Sequence, residues 1–406
     1  MAGENNILKF HSHLNDLENS KVQLSNDDLF LALGVLITQL SICNWGTLSH
    51  YCSILLYTIW GIWSIKIISL KNFKFNGTAF MMIAMLFFTF IQNKLFFMLG
   101  YYRTGGLGVA RNFIACIFFY VLGVNVKKSR HTVPLLFASY LTGVVLLLFI
   151  RWISGVMMND VDKNAIGAVS GGGLFSIYFF FKYGRLNKSQ KIILYLIGFI
   201  IIITLFLMHT RTPLAASFIA LSGVLALRHK IRKSLIVITI SCIILIVLYP
   251  YLLKNEILYN YLQGVQSSNE LTLNSMSSNR LDRWYFAWEE IKEYPWIGLG
   301  GWAYVDCFPL YILRQGGIIS GVIIGGCIYG KFLLMTLDAR DKWMSFQKST
   351  TDTHLQEICV IFILYYSAIS IFEGYVPMGP GVSIFFLWLV LGLYDDYNNQ
   401  IQSVKS

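Results

Sequence analysis

The chain has 406 residues, 56% of them hydrophobic and only 13% charged, with a mean hydropathy of +0.59. Soluble domains carry about 25% charged residues, so the composition excludes an ordinary soluble globule and points to a polytopic membrane protein. The net charge of +11 suits the positive-inside bias of such a protein and does not require a nucleic-acid partner.

The first 26 residues are polar and of mixed charge. They lack the basic-then-apolar layout of a cleaved signal peptide and are expected to form a cytoplasmic tail. Apolar runs follow at about 29–45, 48–68, 78–99, 107–125, 133–152, 165–182, 191–208, 212–228, 234–252, 312–334, 356–373 and 379–394. Each is about as long as a helix must be to cross a bilayer core. The expected fold class is therefore all-α, a polytopic membrane protein of about 12 transmembrane helices. One transmembrane domain is expected over 27–395, with a large outward-facing loop at about 253–311 and a second cytoplasmic tail at 396–406.

With the N-terminus in the cytoplasm, the short inner loops hold Lys66, Lys71 and Lys74, then Lys127, Lys128 and Arg130, then Lys182, Arg185, Lys188 and Lys191. Arg228, Lys230, Arg232 and Lys233 follow, and then Arg340, Lys342 and Lys348. Every short cytoplasmic loop is basic, which supports this orientation. The cysteines Cys43, Cys52, Cys116, Cys242, Cys307, Cys327 and Cys359 form no CxxC pair, and most sit in apolar runs. Buried inert thiols are expected, with no metal site and no disulfide framework.

The outer side is rich in arginine instead: Arg103, Arg111, Arg151, Arg211, Arg280, Arg283 and Arg314. Topology disfavours cations there, whereas a guanidinium grips phosphate bidentately and keeps its charge. An anionic group bound at this surface is the functional reading, and snorkelling to lipid phosphates is the plain one. Arg211 lies in His209-Thr210-Arg211-Thr212-Pro213, a short junction between two apolar runs. Pro213 suits the first turn of the next helix, which puts Arg211 at its positive end. Gly167 and Gly171 form a GxxxG continued by Gly172 and Gly173, and Gly317, Gly321 and Gly325 recur every fourth residue. Both patterns predict close helix packing; a flexible lining for a lipid-chain groove is the alternative.

Between the apolar runs lies an island from Lys254 to about Leu310. Asn279 is expected to cap a helix running from Arg280 to about Glu293 and stopping before Pro295. Leu281, Trp284, Tyr285, Trp288 and Ile291 recur at helical steps and predict one apolar-aromatic face, suited to the outer membrane surface. Arg280 and Arg283 are neighbours on that helix.

The segment Asn279-Arg280-Leu281-Asp282-Arg283-Trp284 through Pro295-Trp296-Ile297-Gly298-Leu299-Gly300 resembles the outer-loop signature of the O-antigen polymerase and O-antigen ligase superfamily. Thr210-Arg211-Thr212 is similar to the family's Ser/Thr-Arg turn, and the loop placement and tails agree over nearly the whole chain. The resemblance implies a GT-C-like bundle in the bacterial inner membrane, with its active site facing the periplasm. It implies transfer of a glycan from undecaprenyl diphosphate, a preactivated donor needing no nucleotide sugar, ATP or other cofactor. In agreement, the sequence holds no Walker loop, no GxGxxG unit and no HExxH.

The residues expected to act are Arg211 and Arg280 on the diphosphate, with Arg283 or Arg314 supporting, and Trp284 and Trp302 against sugar rings. Asp306 is the first expectation for the base and Glu373 the second, while Asp160 and Asp162 are expected to be solvated. Expected partners are lipid-linked oligosaccharides, membrane lipid and a chain-length regulator, with no nucleic acid. Ligases of this superfamily carry a histidine about eleven residues before the Gly-Ile-Ile run, and here that position is Asp306. The departure favours a polymerase, which extends a lipid-linked chain, over a ligase, which moves it to lipid A-core. A lipid-linked oligosaccharide flippase or other transporter is the rival of a different class.

Overall fold

The computed structural model describes residues 25–43, 46–69, 74–98, 106–126, 131–154, 163–208, 210–228, 279–299, 305–345, 351–374, 376–378 and 382–405. The expected span at 234–252, all of the island before Asn279, and Arg103, Asp160, Asp162, His209, Cys242 and Trp302 lie outside them. Among the described residues there are helices and no strand. In order they are α1 (Asn26–Leu40), α2 (Gly46–Ile68), α3 (Gly77–Met98), α4 (Gly106–Asn125), α5 (Thr132–Ile153), α6 (Lys163–Tyr183) and α7 (Lys188–Leu207). After these come α8 (Arg211–Arg228), α9 (Arg280–Glu293), α10 (Phe308–Ser320), α11 (Gly326–Ser345), α12 (Thr351–Ser370) and α13 (Val382–Lys405).

Among the described residues, four stretches are long and apolar enough to cross a membrane: Thr132–Ile153, Lys163–Tyr183, Lys188–Leu207 and the run Phe308–Asp341. Gly77–Gln92, Phe113–Asn125 and Leu355–Ser370 are shorter apolar helices. The chain is thus a multi-pass membrane protein. Local signals set several boundaries. Ser25 and Asp28 cap α1 reciprocally: the Asp28 amide donates to Ser25 Oγ (3.1 Å), and the Ser25 amide to Asp28 Oδ2 (3.3 Å). Asn187 and Gln190 do the same for α7 at 2.8 and 3.0 Å.

Glycines let the helices approach closely. An added Cβ at Gly123 would lie 2.3 Å from the Leu389 carbonyl oxygen, and one at Gly392 2.1 Å from that of Tyr120, so α4 and α13 touch backbone to backbone. The expected packing role of the α6 glycines is also seen: a Cβ on Gly171 would meet the Tyr365 hydroxyl at 2.0 Å and one on Gly172 the Tyr140 hydroxyl at 2.3 Å. Those hydroxyls donate to the Ala168 and Val169 carbonyls, each at 2.9 Å. A small-residue surface and satisfied polar groups are what a helix interface in lipid requires.

The second glycine series behaves differently. Gly325 faces open space, and Gly321 would meet only the Leu313 side chain. Residues Gly321–Gly325 form a π turn, and Gly317 breaks α10 with φ 66° and ψ −167°. The expected packing stripe at 317, 321 and 325 is therefore corrected to a helix break followed by a π turn. Periodicity cannot distinguish the two, because glycine serves both.

Ionic groups gather at two ends of the bundle. At the lysine-rich end, Lys74 pairs with Asp396 (2.6 Å) and Lys331 with Asp395 (2.8 Å), which also accepts from the Tyr120 hydroxyl (2.5 Å). At the same end Glu357, fully buried at the start of α12, is held by Lys182, Tyr178, Tyr183 and Arg228. The island and its arginines lie at the other end.

Candidate functional site

The island helix α9 spans Arg280–Glu293 and ends before Pro295, as the sequence predicts. Its start differs from expectation. Asn279 sits in the left-handed region (φ 58°) with no side-chain cap bond, so it turns the chain into the helix and does not cap it. Asparagine is among the few residues that tolerate this conformation. The expected single apolar face also divides. Ala287 and Ile291 are buried and Trp284 is partly so, while Leu281, Tyr285 and Trp288 are 40%, 62% and 47% exposed. Helical spacing marks both groups alike, and only the neighbouring segments determine which one is covered.

The turn after α9 is fixed by the break in α10. The Ile318 amide donates to the Pro295 carbonyl and the Leu299 amide to the Arg314 carbonyl, both at 2.8 Å. These bonds occupy backbone groups at an interrupted helix. Gly298 (φ 68°) and Gly317 (φ 66°) face each other across this joint: a Cβ on Gly317 would lie 2.2 Å from the Trp296 carbonyl carbon. The segment from Pro295 to Leu299 of the Pro-x-x-Gly-x-Gly signature thus anchors α9 to the bundle here. Gly317→Ala is expected to cost about 2–4 kcal/mol, from backbone strain and overpacking together. The measurement is the thermal midpoint in detergent, and an unchanged midpoint would show that the turn is not docked.

On this anchored frame α9 presents its arginines. Arg280 Nη2 donates to Glu373 Oε1 at 3.1 Å, with side chains only 12% and 5% exposed. Its Nη1 makes a long contact of 3.5 Å to Thr212 Oγ1, in the first turn of α8, and its Cζ lies 5.9 Å from the centre of the Phe372 ring. Arg280 therefore joins three segments: α9, the loop after α12, and the N-terminal end of α8 that Arg211 opens. A Cβ on Gly167 would lie 2.9 Å from Pro213, so α6 packs against that same end. Thr210, just before it, is buried and donates its hydroxyl to the Leu205 carbonyl at 3.0 Å.

Arg283 Nη1 donates to Asp306 Oδ2 at 2.5 Å. Trp284 Nε1 donates to the Asp306 carbonyl at 3.2 Å, and its ring lies 6.0 Å from that of Phe372. Arg314 pairs with Glu290 at 2.5 Å. Glu290 is ten positions along α9 from Arg280, about 15 Å at 1.5 Å per residue. The structure thus gathers Arg280, Thr212, Phe372 and Glu373, sets Arg283, Trp284 and Asp306 beside them, and holds Arg314 at the other end of α9. Arg280, Arg283 and Arg314 each have a carboxylate partner. Charge composition revealed the cations but not their pairing, because the carboxylates come from distant segments. Thr212 belongs to the Thr210-Arg211-Thr212 turn, Phe372 adjoins Glu373, and Glu290 clusters with Glu289 and Glu293 near the end of α9; the sequence marks their places but not their partners.

Among the described residues no group of three or more His, Cys, Asp and Glu side chains could hold a metal ion. Burial pushes the Cys307 thiol up, which disfavours a thiolate nucleophile next to Asp306.

Residues 196–324 match the family model described as O-antigen ligase. The match is consistent with the O-antigen polymerase and ligase superfamily. It begins within α7 and covers α8, the island, α9, α10 and most of the π turn, so it contains Arg211, Arg280, Arg283, Asp306 and Arg314 but not Glu373. No curated protein matches the chain significantly.

Proposed function

We propose that the protein is a polysaccharide polymerase. It transfers a growing glycan from undecaprenyl diphosphate to the next lipid-linked repeat unit at the outer face of a bacterial inner membrane. The observation that carries this reading is the placement of Arg280 beside Thr212, at the N-terminal end of the helix that Arg211 opens, inside the region that matches the O-antigen ligase family. A helix N-terminus and fixed guanidinium groups favour an anion through dipole, amide donors and charge together.

The acceptor hydroxyl attacks the anomeric carbon. The new C–O bond forms as the bond to the diphosphate oxygen breaks, and the electron pair leaves with the lipid diphosphate. Arg211 and Arg280 stabilise that developing charge, and a carboxylate, Asp306 or Glu373, takes the hydroxyl proton. The match to the O-antigen ligase family is common ground for the polymerase and for the ligase, in which lipid A-core is the acceptor. Asp306 at the position where ligases carry histidine favours the polymerase. The match gives no support to a transporter.

The test is reconstitution of the purified protein with defined undecaprenyl-diphosphate-linked repeat units and no nucleotide sugar. A ladder of lengthening products is expected. Transfer only to added lipid A-core would replace the polymerase with the ligase, and no transfer to either acceptor would remove both. In a deletion strain, single repeats on the core are expected; bare core with accumulated lipid-linked polymer is the ligase outcome.

A further inference from the structure

Three ion pairs strap α9 to the rest of the protein: Arg280 to Glu373, Arg283 to Asp306, and Glu290 to Arg314. They lie along most of its length, while its apolar attachment is thin, with Ala287 and Ile291 the buried residues. Glu373 and Asp306 therefore occupy the groups that a diphosphate at this site needs. A guanidinium in a close pair with a carboxylate offers an incoming anion less attraction than a bare one, because the two negative groups compete for the same N–H donors.

The pairs also differ in a way that sets an order. Arg280 and Glu373 are almost enclosed, with 12% and 5% of their side chains exposed, so their mutual attraction is weakly screened. Arg283 is 58% exposed against a buried Asp306 at 11%, so this pair is screened more than the inner one. The outer pair therefore opens at lower cost than the inner one.

Resting on the reading of this site as a lipid-diphosphate site, we propose that Asp306 and Glu373 are exchange partners for the donor's diphosphate. Each carboxylate holds its arginine until a phosphate group takes its place, Arg283 first and Arg280 second. The displaced carboxylate is then released, negatively charged, next to the bound donor, where it accepts the proton of the acceptor hydroxyl. Donor binding thereby generates the base, and the donor must bind before the acceptor reacts. The same exchange keeps the arginines neutralised when no donor is present, so other anions at the membrane surface bind weakly.

The experiment measures binding of inorganic pyrophosphate to the full-length protein in detergent. Wild type, Glu373→Gln, Asp306→Asn and Arg280→Ala are compared, each checked for monodisperse elution. Removing the competing charge is expected to tighten binding about tenfold or more in Glu373→Gln and by less in Asp306→Asn, and Arg280→Ala is expected to lose it. Unchanged or weaker binding in both carboxamide variants overturns the exchange and leaves the carboxylates as props that position the arginines. Absence of pyrophosphate binding in wild type and carboxamide variants alike also overturns it. Should one carboxamide variant fail to elute as a single species, the other determines the outcome. Glycan transfer by the wild type, assayed in parallel, separates the two ideas. Transfer without tighter carboxamide binding removes the exchange alone, and tighter binding without transfer removes the polymerase reading alone.

Discussion

Arg280→Ala is expected to lower glycan transfer by about 10²-fold or more, the usual cost of removing a fixed donor that faces developing charge. The guanidinium is nearly enclosed between Glu373, Thr212 and the Phe372 ring. The planar fork, and not the charge alone, therefore determines its geometry, and Arg280→Lys is expected to recover little activity. Arg211→Ala should behave similarly, because Arg211 begins the helix whose N-terminal end the Arg280 side chain reaches. The assay is product length on a gel, with protein level checked in the membrane fraction. Normal ladders in either alanine variant would withdraw that arginine from the site. A loss in kcat with an unchanged KM would point to the transition state, and a rise in KM alone to donor binding.

Glu357→Ala is expected to destabilise the protein by about 3–5 kcal/mol, the cost of removing one partner from a buried ionic network. Glu357 is fully buried and joins Lys182, Tyr178 and Tyr183 of α6 to Arg228 of α8 and its own helix α12. Its loss leaves two cations facing each other among tyrosine hydroxyls without their acceptor. Glu357→Gln keeps the shape and an acceptor oxygen but not the charge, and is expected to fall between wild type and alanine. Thermal midpoints in detergent and yield from membranes give the comparison. The network lies at the opposite end from Arg280, so a variant that survives purification is expected to retain transfer per folded molecule. A stable but inactive Glu357→Ala would show that the two ends are coupled.

The sequence by itself determined the membrane class, the all-helical architecture, the basic character of one end, and the boundaries of α9. These follow from composition and from local rules: apolar runs of bilayer length, positive-inside charge, and a proline that ends a helix. It also marked Arg211, Arg280, Arg283 and Glu373 as residues of interest, because guanidinium and carboxylate groups beside apolar runs are conspicuous in one dimension, while Asp306 stood out only through the family resemblance, at the position where ligases carry histidine. The tertiary structure decided what each of them meets. Arg280 touches Glu373, 93 positions away, and Thr212, 68 positions away, and no local pattern encodes such a meeting. The same holds for Gly317, which by spacing looks like helix packing and by geometry is the notch that receives Trp296. The exposed Tyr285 and buried Ile291 share one helical pattern as well. Period and composition are properties of neighbours along the chain, whereas pairing, burial and backbone notches depend on which distant segments arrive. The arginines of the island were legible from the first kind of information. That each of Arg280, Arg283 and Arg314 is already held by a carboxylate could come only from the second.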